Sequence, residues 1–271
     1  MTTKEDPNNT PSRRPRRMLD RACALGWRGV IAPTIVLAIA ATVLVVWDTS
    51  RSAQLLRSDP DQIPADARLM AFGVPQGRGV FEAHCASCHG DAHAKAQAAD
   101  LSDQDYLYGQ GLVSDNERIA LYGIRAHNPR TWNLAEMPAY ATPRPAASEP
   151  AIQPLKPGEI DDVVEYLRHL EARPYDTARV ARGAQIYAGR GGCYDCHGSD
   201  AQGDPAIGAP NLTDSVWLHG DGDRKAAANV IAHGARGVCP SWAGRLSPLR
   251  IREVALYIYA LSHRPAAPAR K

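Results

Sequence analysis

Residues 77–89 read GRGVFEAHCASCH and residues 183–197 read GAQIYAGRGGCYDCH. Both end in one five-residue pattern, Cys85-Ala-Ser-Cys88-His89 and Cys193-Tyr-Asp-Cys196-His197. A cysteine pair at this spacing followed directly by histidine is the attachment signature of c-type haem. The two thiols bond to the two vinyl groups of one porphyrin, and the next residue brings an imidazole under the iron. A thioredoxin-like redox pair wants a βαβ context and leaves a histidine after both copies unexplained. A zinc ribbon sets its cysteine pairs closer together than the 108 residues that separate these. The sequence therefore predicts two covalently bound haem c groups, one on Cys85 and Cys88 with His89 below the iron, the other on Cys193 and Cys196 with His197.

The 108-residue offset is also an internal repeat. Gly77 and Phe81 stand before the first motif as Gly183 and Tyr187 stand before the second. After the motifs, Leu101-Ser-Asp103 with Tyr106-Leu107-Tyr108-Gly109 matches Leu212-Thr-Asp214 with Trp217-Leu218-His219-Gly220. Leu155, Pro157, Ile160, Val163, Tyr166 and Leu170 recur 91 residues later as Leu246, Pro248, Ile251, Val254, Tyr257 and Leu261. Their spacing is helical, with proline near the start, where a missing N–H costs little. Each repeat thus has a first helix, a haem-binding turn, a long irregular loop and an amphipathic last helix on which it is expected to close. This order resembles the class I cytochrome c fold, a small all-α domain wrapped around its haem. Two tandem domains are expected, 75–172 and 182–264, joined by a linker at 173–181 and followed by a tail at 265–271. Ala141 to Pro154, ATPRPAASEPAIQP, reads as a surface insertion in the first repeat.

The 271 residues accommodate two such domains and an anchor, and 44% hydrophobic against 22% charged residues fits a globular chain. Only 6% are aromatic, with two Phe, a shortage that haem offsets by supplying apolar bulk. Residues 1–28 carry seven basic and three acidic side chains, a net of +4, whereas the remainder is −2, which gives no sign of a nucleic-acid-binding body. Directly after this basic segment, Gly29 to Trp47 (GVIAPTIVLAIAATVLVVW) runs 19 residues without a charge. As a helix it spans roughly 28 Å, close to the thickness of a bilayer core. The run is long for the apolar part of a cleaved signal peptide, and the DTSRSA that follows is a weak cleavage site. A transmembrane helix at 29–48 is therefore expected, with a linker at 49–74. The positive-inside rule places residues 1–28 in the cytoplasm and the haem domains outside it.

Distal iron ligands are sought between each haem motif and the last helix of its repeat. In the first repeat Met137 precedes Pro138 there and is the expected ligand. His84, His93 and His127 read as solvent-facing. The second repeat holds no Met, and Cys239-Pro240 falls opposite Met137-Pro138. Cys239 has no intrachain disulfide partner, because four thiols are committed to haem and Cys23 lies across the membrane. Three readings stay open for the second iron: thiolate ligation by Cys239, ligation by His233 or His219, or an open position.

The segment Gly208 to Gly222 (GAPNLTDSVWLHGDG), its fainter copy Ala99 to Gly111 (ADLSDQDYLYGQG), and one anchor helix ahead of two haem domains resemble the dihaem subunit III of cbb3-type cytochrome c oxidases. The resemblance covers roughly residues 30–262. It implies a single-pass protein of a bacterial inner membrane with periplasmic haem domains and no active site of its own. Such a subunit takes electrons from a cytochrome c donor and passes them to a monohaem cytochrome c subunit and a haem–copper catalytic subunit. It also implies Met-Pro at the second distal site, where this chain has Cys239-Pro240. Two other readings share the haem count: a thiosulfate dehydrogenase-like dihaem enzyme with a Cys-ligated haem, and a stand-alone membrane electron shuttle.

Overall fold

The computed structural model describes residues 16–90, 98–143 and 154–264, with side chains described from residue 33. It divides into two compact units, residues up to Ala53 and residues from Gln54 onward. The first is the greater part of helix α1 (Arg16–Arg57). From Pro33 to Arg57 this helix is long and apolar enough to cross a membrane. Ile35, Val36, Leu37, Ile39 and Val43 are all exposed, so the helix is apolar around its circumference rather than on one stripe. That pattern suits a lipid surrounding better than a water-facing one.

The second unit holds the last turn of α1, a 3-10 helix (Pro60–Ala65), and helices α2 (Ala67–His84), α3 (Ala86–His89), α4 (Val113–Tyr122), α5 (Pro157–Leu170), α6 (Thr177–Ala188), α7 (Tyr194–His197), α8 (Arg224–His233) and α9 (Pro248–Ser262). Among the described residues no strand forms, and only isolated β-bridges occur. Local chemistry marks the helix starts. Asp66 accepts from the Arg68 and Leu69 N–H groups, Asp176 from that of Ala178, Asp223 from that of Ala226, and Ser247 from that of Arg250. Each satisfies a donor that the first turn leaves without a partner. Residues 49–74, read from sequence as a linker, comprise the end of α1, the 3-10 helix and the first half of α2.

The closing helices are exchanged between the repeats. The expectation that each repeat closes on its own last helix is corrected, because α2 packs on α9 and α6 packs on α5. Backbone approaches fix both crossings. A Cβ on Gly77 of α2 would stand 1.9 Å from the Glu253 carbonyl oxygen of α9, and one on Gly183 of α6 would stand 2.0 Å from the Asp162 oxygen of α5. One turn on, Phe81 meets Tyr257 with ring centroids 5.3 Å apart, and Tyr187 meets Tyr166 at 5.4 Å. The physical reason lies in the connections. Only Glu171–Asp176 joins α5 to α6, and a loop this short favours antiparallel neighbours.

One half is therefore discontinuous, with α2, α3, α4 and α9. Its cores gather Leu55, Leu69, Phe72 and Leu256, and then Val80, Phe81, Val254, Tyr257 and Leu261. The other half runs through α5, α6, α7 and α8, with a core of Ile160, Val163, Val164, Leu167, Tyr187 and Ile231. Polar ties follow the same division. Arg182 grips Asp162 with two bonds of 2.9 Å, and the 5%-exposed Glu165 accepts from Arg224 at 2.5 Å and from the Asp176 N–H at 2.6 Å. The Arg224 bond chiefly holds the Glu165 carboxyl below the ordinary carboxylate range.

In the first half, buried Arg252 of α9 bonds Glu117 of α4 and donates to the Leu55 and Ser58 carbonyls at 2.6 and 2.9 Å. Those oxygens belong to the end of α1, where carbonyls lack helical partners. Arg252→Met removes the donor and leaves Glu117 without its cation. The expected cost is about 3–5 kcal/mol, as for a broken buried pair, read as a lower urea midpoint of the purified full-length chain.

Candidate haem-binding sites

α2 delivers Cys85 as its last cap, and α3 turns the motif once, with the His89 N–H on the Cys85 carbonyl at 3.0 Å. α7 does the same for the second motif, His197 on Cys193 at 3.0 Å. In one helical turn positions i, i+3 and i+4 share a face, so both thiols and the imidazole point the same way. None of the four thiols forms a disulfide. His89 Nδ1 lies 2.8 Å from the Ala99 carbonyl and His197 Nδ1 2.9 Å from the Pro210 carbonyl. A carbonyl only accepts, so each Nδ1 carries the proton and each Nε2 keeps the lone pair that an iron needs. Burial also lowers the His197 imidazole, which favours the neutral ligand form. Burial pushes the Cys85 and Cys193 thiols up to about 11. These groups fit haem c. Among the described residues no group of three or more His, Cys, Asp or Glu gathers as a polydentate metal centre.

The structure brings Met137 and Cys239 to the opposite sites from those expected by repeat order. Met137 packs on the core of the second half together with Cys193. Its carbonyl accepts from the Ala235 N–H at 3.2 Å, and Tyr140 N–H follows on the Ile231 carbonyl at 3.1 Å, so residues 137–141 run beside the end of α8. Tyr140 then donates to the Gly191 carbonyl at 2.7 Å, just ahead of Cys193. Cys239 exchanges two backbone bonds with Ile124 at 2.9 and 3.0 Å, at the end of α4. Trp242, three residues on, meets His84 at a tilt with ring centroids 4.9 Å apart, next to Cys85. Burial pushes the Cys239 thiol up, with Cys88 the next contributor. The physical reason matches that of the helix exchange: the chain crosses between halves at 124–140 and back at 231–243.

His84, His127, His219 and His233 are exposed, while Met137 and Cys239 are half-buried. His233 closes α8 and borders a cleft with Met137, Pro138 and Arg236. His93 lies outside the described residues. Arg125 escaped the sequence reading, although it pins the crossing. It donates to the Gly237 carbonyl at 2.6 Å, the Tyr108 hydroxyl at 2.9 Å and the Ala135 carbonyl at 3.0 Å. No motif surrounds it, and its role exists only because both crossing segments meet there.

Two haem-attachment turns, each with a carbonyl-oriented histidine and a sulfur-bearing loop beside it, define a dihaem c-type cytochrome. Comparison with known proteins narrows the class. Residues 74–171 match the family Cytochrome c, and residues 178–258 match the family Cytochrome C oxidase, cbb3-type, subunit III. The chain is 36% identical over 216 residues to the cbb3-type cytochrome c oxidase subunit FixP of a Bradyrhizobium species, covering 78% of this chain and 69% of that relative. It is 37% identical over 217 residues to subunit CcoP of Rhodobacter capsulatus, covering 77% of this chain and 69% of that relative. To subunit CcoP of Cereibacter sphaeroides it is 34% identical over 209 residues, covering 77% and 68%. The chain belongs to the CcoP/FixP family of cbb3-type cytochrome c oxidase subunits. It is an electron-transfer protein with two covalently bound haem c groups, and its apolar N-terminal helix accords with membrane anchoring.

Proposed function

We propose that this chain is the electron-entry subunit of a cbb3-type oxidase in a bacterial inner membrane. It takes electrons from a cytochrome c donor and passes them to a monohaem cytochrome c subunit and then to a haem–copper catalytic subunit. Its N-terminus is cytoplasmic and residues 54–264 are periplasmic, because seven basic side chains precede the apolar run. The observation that carries the reading is the pair of equivalent turns, each presenting two thiols and one Nε2 on a single face.

When bound, haem supplies a reversible one-electron couple at each site. Cys85, Cys88, Cys193 and Cys196 would hold it covalently. The Ala99 and Pro210 carbonyls fix the tautomer and ring orientation of His89 and His197, which limits reorganisation between oxidation states. Met137 and Cys239 are the distal candidates, and the polypeptide contributes no group to oxygen chemistry. A substrate-binding role for Cys239 is disfavoured by its neighbours. Arg236 pairs with Glu136 at 3.1 Å, the Arg245 guanidinium lies 3.9 Å from the centroid of the Trp242 ring, and Arg125 is committed to Gly237, Tyr108 and Ala135, so these nearby cations are engaged.

Isolation from detergent-solubilised membranes through a tag after Lys271 tests the assignment. Haem b and copper are expected to copurify with the chain. Haem c alone, without haem b or copper, contradicts an oxidase subunit. A reporter fused at the same place is expected to work only if it is periplasmic-active, and cytoplasmic activity contradicts the orientation.

A further inference from the structure

Each distal loop packs in the half that carries the haem-attachment turn of the other repeat, and the two loops differ in their sulfur. We propose that the Cys239 thiolate ligates the iron of the haem on Cys85 and Cys88, while Met137 ligates that of the haem on Cys193 and Cys196, which makes the first haem the low-potential one. The inference rests on the dihaem reading and concerns this chain's own residues.

Three observations converge on Cys239. It is tied by backbone bonds on both sides to Ile124, at the end of the α4 helix that packs on α9 in the Cys85 half. The Cys85 and Cys88 sulfurs are close enough to act electrostatically on its thiol, and Trp242 anchors the loop on His84. No methionine competes for the position. Of the four in the chain, Met70 packs in the separate core around Leu55 and Phe72, Met137 sits in the other half, and Met1 and Met18 precede the apolar run. The histidines are poorly placed too, since His84 belongs to the attachment helix and lies against Trp242, His127 and His219 are exposed, and His233 borders the cleft with Met137 in the other half.

On coordination the thiol proton passes to solvent and the anionic sulfur becomes the ligand, with no change in oxidation state. An anionic sulfur stabilises ferric iron more than a neutral thioether does. Electrons would then rest on the Met137 haem. From Ala235, which bridges to Met137, to Cys239 the chain has four residues to run, at most about 14 Å when extended. The two distal faces therefore sit close together, which suits direct transfer between them.

The experiment uses the full-length chain in detergent and its ferric EPR spectrum. In Cys193→Ala/Cys196→Ala, where only the first attachment site remains, the thiolate-type low-spin signal is expected to persist. In Cys85→Ala/Cys88→Ala it is expected to vanish. Persistence in the latter chain, or no thiolate signal in the parent, overturns the proposal. Two conservative variants guard against misfolding. Cys239→Met is expected to abolish the thiolate signal and raise only the lower potential, and Met137→His to abolish the methionine–iron charge-transfer band while the thiolate signal stays. A thiolate signal that survives Cys239→Met refutes the ligand. A parent chain with fewer than two covalent haems refutes the dihaem reading instead, so the two failures are distinguishable.

Discussion

Leu256→Asp is expected to unfold the half that carries Cys85, Cys88 and His89, and to leave α5, α6 and α8 protected from hydrogen exchange. Leu256 is 0% exposed, in a cluster with Leu55, Leu69 and Phe72 from α1 and α2. A carboxylate placed there has no partner, and an uncompensated buried charge costs several kcal/mol. That is a large part of the roughly 5–15 kcal/mol that holds a typical domain together. Val163→Asp, at a site 2% exposed in the other core, is expected to give the mirror image, with protection lost in α5, α6 and α8 and kept in α2, α4 and α9. Mass spectrometry of peptides after deuterium labelling reads both patterns. Repeats that closed on their own last helices would instead exchange the fates of α2 and α4 with those of α6 and α8 in each case.

The second large effect is at the two helix crossings. A Cβ at Gly183 would lie 2.0 Å from the Asp162 oxygen, where ordinary contacts begin near 3.4 Å, so Gly183→Val forces α5 and α6 apart by more than an ångström. The separation weakens the Tyr166–Tyr187 contact and the two bonds between Arg182 and Asp162. The expected loss is at least about 3 kcal/mol, the upper end of ordinary overpacking. Gly77→Val does the same to α2 and α9. Gly79 has nothing within 4 Å of its added Cβ, so Gly79→Ala serves as the control. It is expected to stabilise by about 0.5–1 kcal/mol through helix propensity alone. Urea unfolding of the purified chain measures all three.

Much of this was legible in the sequence because it is local. The five-residue motifs state the haem count directly, and one helical turn is enough to turn both thiols and the imidazole to one side. The apolar run from Gly29 announces the anchor by length and composition. Ile160, Val163 and Tyr166, with their counterparts Ile251, Val254 and Tyr257, reveal two helices of one kind. What periodicity cannot say is which partner a face meets. Because the closing helices are equivalent, either can seat on either Gly-x-x-x-aromatic helix, and the six-residue connection at 171–176 decides between them. The same ambiguity extends to the loops that carry the two distal sulfurs. Repeat order puts Met137 over the first motif and Cys239 over the second, whereas the crossing segments at 124–140 and 231–243 carry each to the other half. Arg125 was invisible for a related reason, since its partners Gly237, Tyr108 and Ala135 are distant in sequence or unremarkable there.

The most direct measurement is the pyridine haemochrome of the purified full-length chain after denaturation and acid–acetone extraction. Two haem c per polypeptide, both retained through extraction, is the expected result, falling to one in Cys193→Ala/Cys196→Ala. Haem that extracts freely, a single haem in the parent chain, or two retained in that variant would contradict a protein built around two covalent haem sites.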